Sequence, residues 1–185
     1  IADVKASQTL FDRIEEMGGR PLMWKTGHSL IKSKMKETHA PLAGEMSGHI
    51  FFKHRWYGFD DAIYSSLRLI EILSRSSGGL PALTADIPAT INTPEIRTDC
   101  PDDVKFDLVA EVQRLFKQRK DVEVIDIDGA RVKYPGGWGL IRASNTQPVL
   151  VSRFEARNQA DLDAIRKDVE SVLERAKANL SGRSK

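Results

Sequence analysis

The sequence predicts an α/β layer domain over residues 1–88, followed by a second domain of strands, hairpins and two helices over residues 89–185. Three observations carry this. From Ile1 to Thr38 the apolar pattern runs strand, helix, strand, loop, helix, the rhythm of an α/β layer fold. Between Ser74 and Pro94 the composition shifts to Ser76-Ser77-Gly78-Gly79 with Pro81, Pro88 and Pro94, which marks a domain boundary. Beyond it, Asp128-Gly129 and Pro135-Gly136-Gly137 punctuate short strand-like runs, and a long amphipathic helix closes the chain.

Taken in order, Ile1 to Val4 reads as the tail of a buried strand. Leu10, Phe11, Ile14 and Met17 form one face of a helix over 9–17, which Gly18-Gly19 stop. Pro21 to Trp24 is a second apolar run, and Lys25 to Ser29 a polar break containing glycine. A helix over 30–38 turns Leu30, Ile31 and Met35 inward and its lysines outward. Two short strands flank residues 44–49. A helix over 59–73 is capped by Asp60 or Asp61, with Ile63, Leu67, Ile70 and Leu73 on its inner face.

In the second half, residues 95–99 form a strand. A helix over 106–116 turns Phe106, Val109, Phe116 and Val112 or Ala110 inward. Strands follow at 122–127, 130–134, 138–142 and 149–155. The last helix, over 159–176, buries Leu162, Ile165, Val169, Val172 and Leu173, and residues 181–185 form a loose polar tail.

Composition narrows the function classes. With 28 Lys and Arg against 26 Asp and Glu, no broad basic field exists for sequence-independent nucleic-acid binding. No apolar run approaches the roughly 18 residues that span a bilayer. The single Cys100 cannot form an internal disulfide, which fits a cytoplasmic protein. The start on Ile1, already inside a strand-like run, predicts a fragment whose N-terminal part is missing.

Three stretches carry chemistry. Gly44-Glu45-Met46-Ser47-Gly48-His49 sets an acid, a hydroxyl and an imidazole at alternate positions. On extended backbone, Glu45, Ser47 and His49 point one way, a set suited to gripping sugar hydroxyls and moving a proton. A glycine-rich hairpin turn with solvated polar residues is the competing reading. Lys25-Thr26-Gly27-His28-Ser29 lies where a strand meets a helix, the end of an α/β sheet at which ligands bind; Thr26 or Ser29 as a plain helix cap is the alternative. Arg142-Ala143-Ser144-Asn145-Thr146-Gln147-Pro148 joins two strands, with a guanidinium fork and short donors at Ser144, Asn145 and Thr146 that suit a phosphate. Its alternative is a polar turn with Arg142 paired to a carboxylate. The histidines have no zinc-ligand spacing, so His28 and His49 read as proton carriers and no metal site is expected in this chain.

Together with Asp3-Val4-Lys5 and Tyr57-Gly58-Phe59-Asp60-Asp61, these stretches resemble, in order and spacing, the C-terminal part of bacterial phosphomannomutase/phosphoglucomutase, in the α-D-phosphohexomutase superfamily. The resemblance covers essentially the whole chain, as most of that family's third domain (1–88, sugar-binding) and all of its fourth (89–185, phosphate-binding). It implies a truncated three-layer mixed α/β domain followed by a TATA-binding-protein-like α+β domain. It also implies an enzyme that interconverts the 1- and 6-phosphates of mannose or glucose. A phosphoserine donates its phosphoryl group to give a bisphosphorylated sugar, glucose 1,6-bisphosphate in the glucose case, and Mg²⁺ is the cofactor.

The resemblance places Glu45, Ser47, Gly27 and His28 on the sugar and Arg142, Ser144, Asn145 and Thr146 on the phosphate, and sets Lys5, His28 and His49 near the reacting hydroxyl. The family's serine and metal loops belong to earlier domains and are absent from this chain. It is therefore expected to be inactive alone, with the missing N-terminal domains and a hexose phosphate as its partners, and no nucleic acid or membrane. A stand-alone sugar-phosphate-binding or scaffold module is the alternative.

Overall fold

A computed structural model describes residues 1–183. They divide into two units, Ile1–Pro88 and Ala89–Lys185.

The first unit is a four-stranded sheet with helices. Its elements are β1 (Ala2–Asp3), α1 (Gln8–Glu16), β2 (Met23–Trp24), α2 (His28–Thr38), β3 (Leu42–Gly44), β4 (Ile50–Phe52), α3 (Ala62–Leu73) and α4 (Gly79–Thr84). Strand order is β2-β1-β3-β4, with β1 parallel to both β2 and β3 and β3 antiparallel to β4. The register Asp3↔Trp24 and Ala2↔Gly44 ends three parallel strands at one edge of the sheet, where Lys5, Thr26 and Glu45 begin. Ser7 caps α1 by accepting from the Thr9 N–H, and Gly18 takes φ +81° just past its end, which only glycine adopts freely. Two small apolar clusters hold the sheet: Ile31, Met35, Ala43 and Phe51 in one, Ala2, Ala6 and Phe11 in the other.

Several expected helix faces are shifted. In α1 Phe11 is buried while Leu10 and Met17 face outward, and in α2 Leu30 is exposed. α2 also starts earlier than the sequence suggests, at His28, behind Gly27 and without a side-chain cap. The largest departure is α3, which has no buried residue. Ile63, Leu67 and Ile70, expected inward, are exposed, at 78%, 58% and 59%. The reason lies on the opposite side of the helix. Tyr64 stacks on Trp56 at 4.4 Å between ring centroids and meets Phe52 edge-on at 5.5 Å; the Arg68 guanidinium lies 5.2 Å from the Phe52 ring. One turn on, Glu71 pairs with Arg55, Arg68 and Arg75. This amphipathic stripe faces β4, and the aliphatic one faces away. α3 begins only at Ala62 because Asp61 is its cap, while Asp60 stays extended and bridges Phe51.

The second unit comprises β5 (Ile91–Asn92), β6 (Ile96–Asp99), α5 (Lys105–Lys117), β7 (Glu123–Ile125), β8 (Ala130–Tyr134), β9 (Gly137–Ala143), β10 (Val149–Ala156) and α6 (Gln159–Arg183). α4 and β5 both fall within the stretch 74–94 that reads as a domain boundary in the sequence. The sheet is antiparallel throughout, in the order β5-β10-β9-β8-β7, with β6 also on β10. Gly129, at φ +82°, makes the β7–β8 turn. Among the described residues, nineteen buried ones form one core between the sheet and the two helices, including Val112, Phe116, Ile141, Phe154, Ile165 and Val169. The face of α5 is set by Leu108, Val112 and Leu115 rather than Phe106, which is 55% exposed beside the Lys105 ammonium. α6 continues through Ser181 to Arg183, where a loose tail is expected; Ser184 and Lys185 lie outside the described residues.

Candidate functional site

In the first unit the expected sugar-binding residues gather at the carboxyl edge of the parallel strands. Their organiser is Asp3, the last residue of β1, at 0% exposure. An ionised carboxylate survives burial only when hydrogen-bonded and paired. Asp3 accepts from the Met46 N–H at 3.1 Å and from the Thr26 hydroxyl at 3.0 Å, and the Lys5 ammonium lies 3.8 Å away. One buried side chain thus ties the loop after β2 and the turn after β3 to the end of β1. Thr26 serves this tie and caps no helix. Gly27, at φ +133°, gives the backbone its turn into α2.

The 45–49 stretch is a tight turn, not extended strand. The Gly48 N–H donates to the Glu45 carbonyl and the Glu45 N–H to the His49 carbonyl, both at 2.9 Å, with Gly48 at φ +96°. The two strands β3 and β4 antiparallel on either side leave no room for an extended link, so the turn reading holds for the backbone. The side chains still converge: the Ser47 hydroxyl donates to Glu45 Oε2 at 3.4 Å. Glu45 Oε1 is shielded from solvent with no hydrogen-bond partner among the described residues, which leaves an acceptor oxygen beside a hydroxyl. His28, exposed at the start of α2, lies 6.4 Å from His49 between ring centroids. His49 Nδ1 is 2.6 Å from Asp60 Oδ2.

In the second unit the 142–148 loop joins β9 to β10. Arg142 is buried, and its Nε donates to Asp128 Oδ2 at 3.0 Å, an ion pair with both side chains largely enclosed. The carboxylate anticipated as Arg142's alternative partner is therefore present. It engages Nε, and among the described residues the two Nη groups have no hydrogen-bond partner, which leaves them open to a further anion. The Ser144 hydroxyl accepts from the N–H groups of Thr146 and Gln147 at 3.3 and 3.2 Å, so it shapes the loop from inside. Asn145 and Thr146 stand exposed at its tip. The loop is anchored from below: buried Lys105 donates to the Gln147 carbonyl at 2.9 Å and Arg97 to Gln147 Oε1 at 2.6 Å.

Sequence reasoning misses Asp3, Asp60, Asp128 and Lys105 as parts of these sites. Asp3 carries a legible signal, a carboxylate inside an apolar strand. The Asp60-Asp61 doublet carries another, since a helix takes one cap. Asp128 reads only as turn chemistry, and nothing local marks Lys105. Among the described residues no group of three or more His, Cys, Asp or Glu side chains is placed to hold a metal ion, and no helix is long and apolar enough to cross a membrane.

Two family models match: "Phosphoglucomutase/phosphomannomutase, alpha/beta/alpha domain III" over residues 1–91 and "Phosphoglucomutase/phosphomannomutase, C-terminal domain" over residues 95–172. A phosphomannomutase/phosphoglucomutase of Pseudomonas syringae pv. tomato is 55% identical over 165 residues, covering 89% of this chain and 35% of the relative. The chain thus spans about a third of the length of the curated relatives it matches. The crystal structure of a phosphoglucomutase/phosphomannomutase family protein from Burkholderia thailandensis aligns with a TM-score of 0.85 at 48% identity, over 95% of this chain and 37% of that one. N-acetylphosphoglucosamine mutase of Aspergillus fumigatus shares the fold at 15% and 16% identity, with TM-scores of 0.64 and 0.63, over 95% of this chain and 38% of that one. Those two structures are complexes with glucose 1,6-bisphosphate and with GlcNAc-6P and magnesium.

Proposed function

Because the chain belongs to the phosphoglucomutase/phosphomannomutase family, as its domain III and C-terminal domain, we propose that it supplies the sugar- and phosphate-recognising part of a phosphohexomutase. The reaction is interconversion of the 1- and 6-phosphates of mannose or glucose through a phosphoserine and a bisphosphorylated sugar, in the cytoplasm. The observation that carries this reading is the Glu45–Ser47 pair, with its partnerless shielded oxygen, at the carboxyl edge of three parallel strands.

A bisphosphorylated hexose must present first one end and then the other to the same donor. Turning the ring over nearly exchanges the 3- and 4-hydroxyls. A carboxylate with two equivalent acceptor oxygens serves both poses, and Ser47 can donate or accept as required. The phosphate that is not being transferred needs one fixed seat. The Arg142 Nη groups, with Asn145 and Thr146 at the loop tip, supply it; Asp128 fixes the guanidinium and Ser144 the loop. Lys5 adds a cation at the sugar edge and a histidine takes the proton of the reacting hydroxyl.

Mg²⁺ supplies charge neutralisation during phosphoryl transfer in this family's reaction. The described residues offer it no ligand cluster, so no step of this chain's is assigned to it. The test is a coupled assay on the complete gene product with mannose 1-phosphate and glucose 1-phosphate. Turnover of either is expected, with Glu45→Gln lowering kcat/KM about a hundredfold by loss of a charged hydrogen-bond acceptor. The 185-residue chain alone is expected to show none. Wild-type gene product without turnover, or full activity in Glu45→Gln, refutes the reading.

A further inference from the structure

We infer that Asp60 is a positioning residue that fixes the tautomer of His49 and thereby makes His49, not His28, the proton carrier of the site; this rests on the mutase reading above. His49 Nδ1 lies 2.6 Å from Asp60 Oδ2. An ionised carboxylate only accepts hydrogen bonds, so Nδ1 carries the hydrogen. In the neutral ring Nε2 then holds a lone pair, and it has no protein partner among the described residues. Both side chains are about half exposed, at 47% and 41%, so the outer edge of the ring is open to a ligand.

The backbone holds Asp60 to this task. Its neighbour Asp61 does the capping, accepting from the Tyr64 N–H at 2.8 Å and the Trp56 indole at 3.1 Å. Asp60 is left out of the helix, pinned by its bridge to Phe51 in β4, one residue beyond the strand position next to His49. Two adjacent aspartates thus divide two jobs. Among the described residues His28 has no such carboxylate; its ring faces that of His49. The two histidines that the sequence leaves equivalent are made unequal by one side chain.

The step reads as follows. When a sugar hydroxyl attacks the phosphoryl group of the phosphoserine, its O–H bond breaks and the proton passes to His49 Nε2. The O–P bond to the sugar forms as the P–O bond to the serine breaks; that bond's electron pair stays on the serine oxygen, which takes up a proton from solvent. The imidazolium so formed keeps its Nδ1–H on Asp60, and the same nitrogen Nε2 returns the proton when the transfer reverses.

Long-range ¹H–¹⁵N correlation spectra of the 185-residue chain, recorded where imidazole is neutral, read the tautomer directly. His49 is expected as the Nδ1–H form. Asp60→Ala is expected to return it mainly to the Nε2–H form, whereas Asp61→Ala, which removes the cap, leaves the His49 tautomer as it was. An Nε2–H majority in the wild type overturns the inference without any variant. In the complete gene product, Asp60→Asn is expected to lower kcat roughly ten- to a hundredfold with KM within about twofold, and Asp60→Glu to recover part of the loss. Unchanged kcat, or a loss confined to KM, overturns it. A wild-type gene product with no mutase activity refutes the preceding proposal instead, and the tautomer measurement still decides Asp60.

Discussion

The two units solve the same folding problem with different materials. The second concentrates nineteen buried residues in one core under an antiparallel sheet. The first has two clusters of four and three, and its most apolar helix buries nothing. What the first unit lacks in apolar burial it replaces locally with polar ties: Asp3 to three partners, Glu71 to three arginines, Asp61 to Tyr64 and Trp56. In the first unit the loops at the carboxyl edge of the parallel strands are held by hydrogen bonds to Asp3. The second unit carries its 142–148 loop between β9 and β10, with a full core beneath the sheet.

The largest effect expected from this contrast is in the second core. Phe154 is 1% exposed and packs between sheet and helix. Phe154→Ala should cost about 3–5 kcal/mol, through lost transfer energy and the cavity left behind. Urea unfolding followed by tryptophan fluorescence at Trp138 reads it, and a cost below about 1 kcal/mol would mean that the core is not the support described here.

Next comes Asp3. Asp3→Ala removes the acceptor for the Met46 N–H and the Thr26 hydroxyl and leaves the Lys5 ammonium without its carboxylate. Breaking a buried charged tie in this way costs about 3 kcal/mol. Unlike Phe154→Ala, it should also free both site loops, seen as faster amide hydrogen exchange from Thr26 to His28 and from Glu45 to His49. Loss of stability with those amides still protected would mean that Asp3 only fills space.

How much of this was legible follows the same division. In the second unit the sequence pattern finds every strand but the two-residue β5, the Gly129 turn and the α6 face, because a one-sided sheet against helices writes itself as periodicity. In the first unit the same reasoning finds α1, α2 and α3 but misses α4 and picks the wrong side of α3. The stripe Ile63, Leu67, Ile70 is the better hydrophobic face on paper; Tyr64 and Arg68 win because Phe52 and Trp56 offer them rings to pack on. That partnership spans residues whose proximity exists only after folding. The site residues are read from motif and resemblance, and the Asp60-Asp61 doublet hints at one support, whereas the supporting roles of Asp128 and Lys105 are not legible. A support is defined by what it touches, and no local pattern carries that.

A smaller effect tests the capping half of the contrast. Asp61→Ala removes the acceptor for the Tyr64 N–H and should cost the first unit about 1 kcal/mol. Far-UV circular dichroism during thermal unfolding reads the loss, and the second unit's transition should stay where it is.

The smallest stability change is expected where the sequence looks most like a core. Leu67 is 58% exposed and touches no buried cluster. Leu67→Ser should therefore shift the stability of this chain by no more than about 0.5 kcal/mol, as at other exposed sites, although the same exchange in α6, at Leu162 or Val169, removes a core residue. What Leu67→Ser should change is association, because Ile63, Leu67 and Ile70 make a continuous apolar stripe open to water. Sedimentation at increasing concentration is expected to show self-association in the wild type and less in the variant. A large loss of stability instead would place the stripe inside the unit's own packing. The contrast between a unit that closes its core with apolar contacts and one held by polar ties would then be wrong for α3.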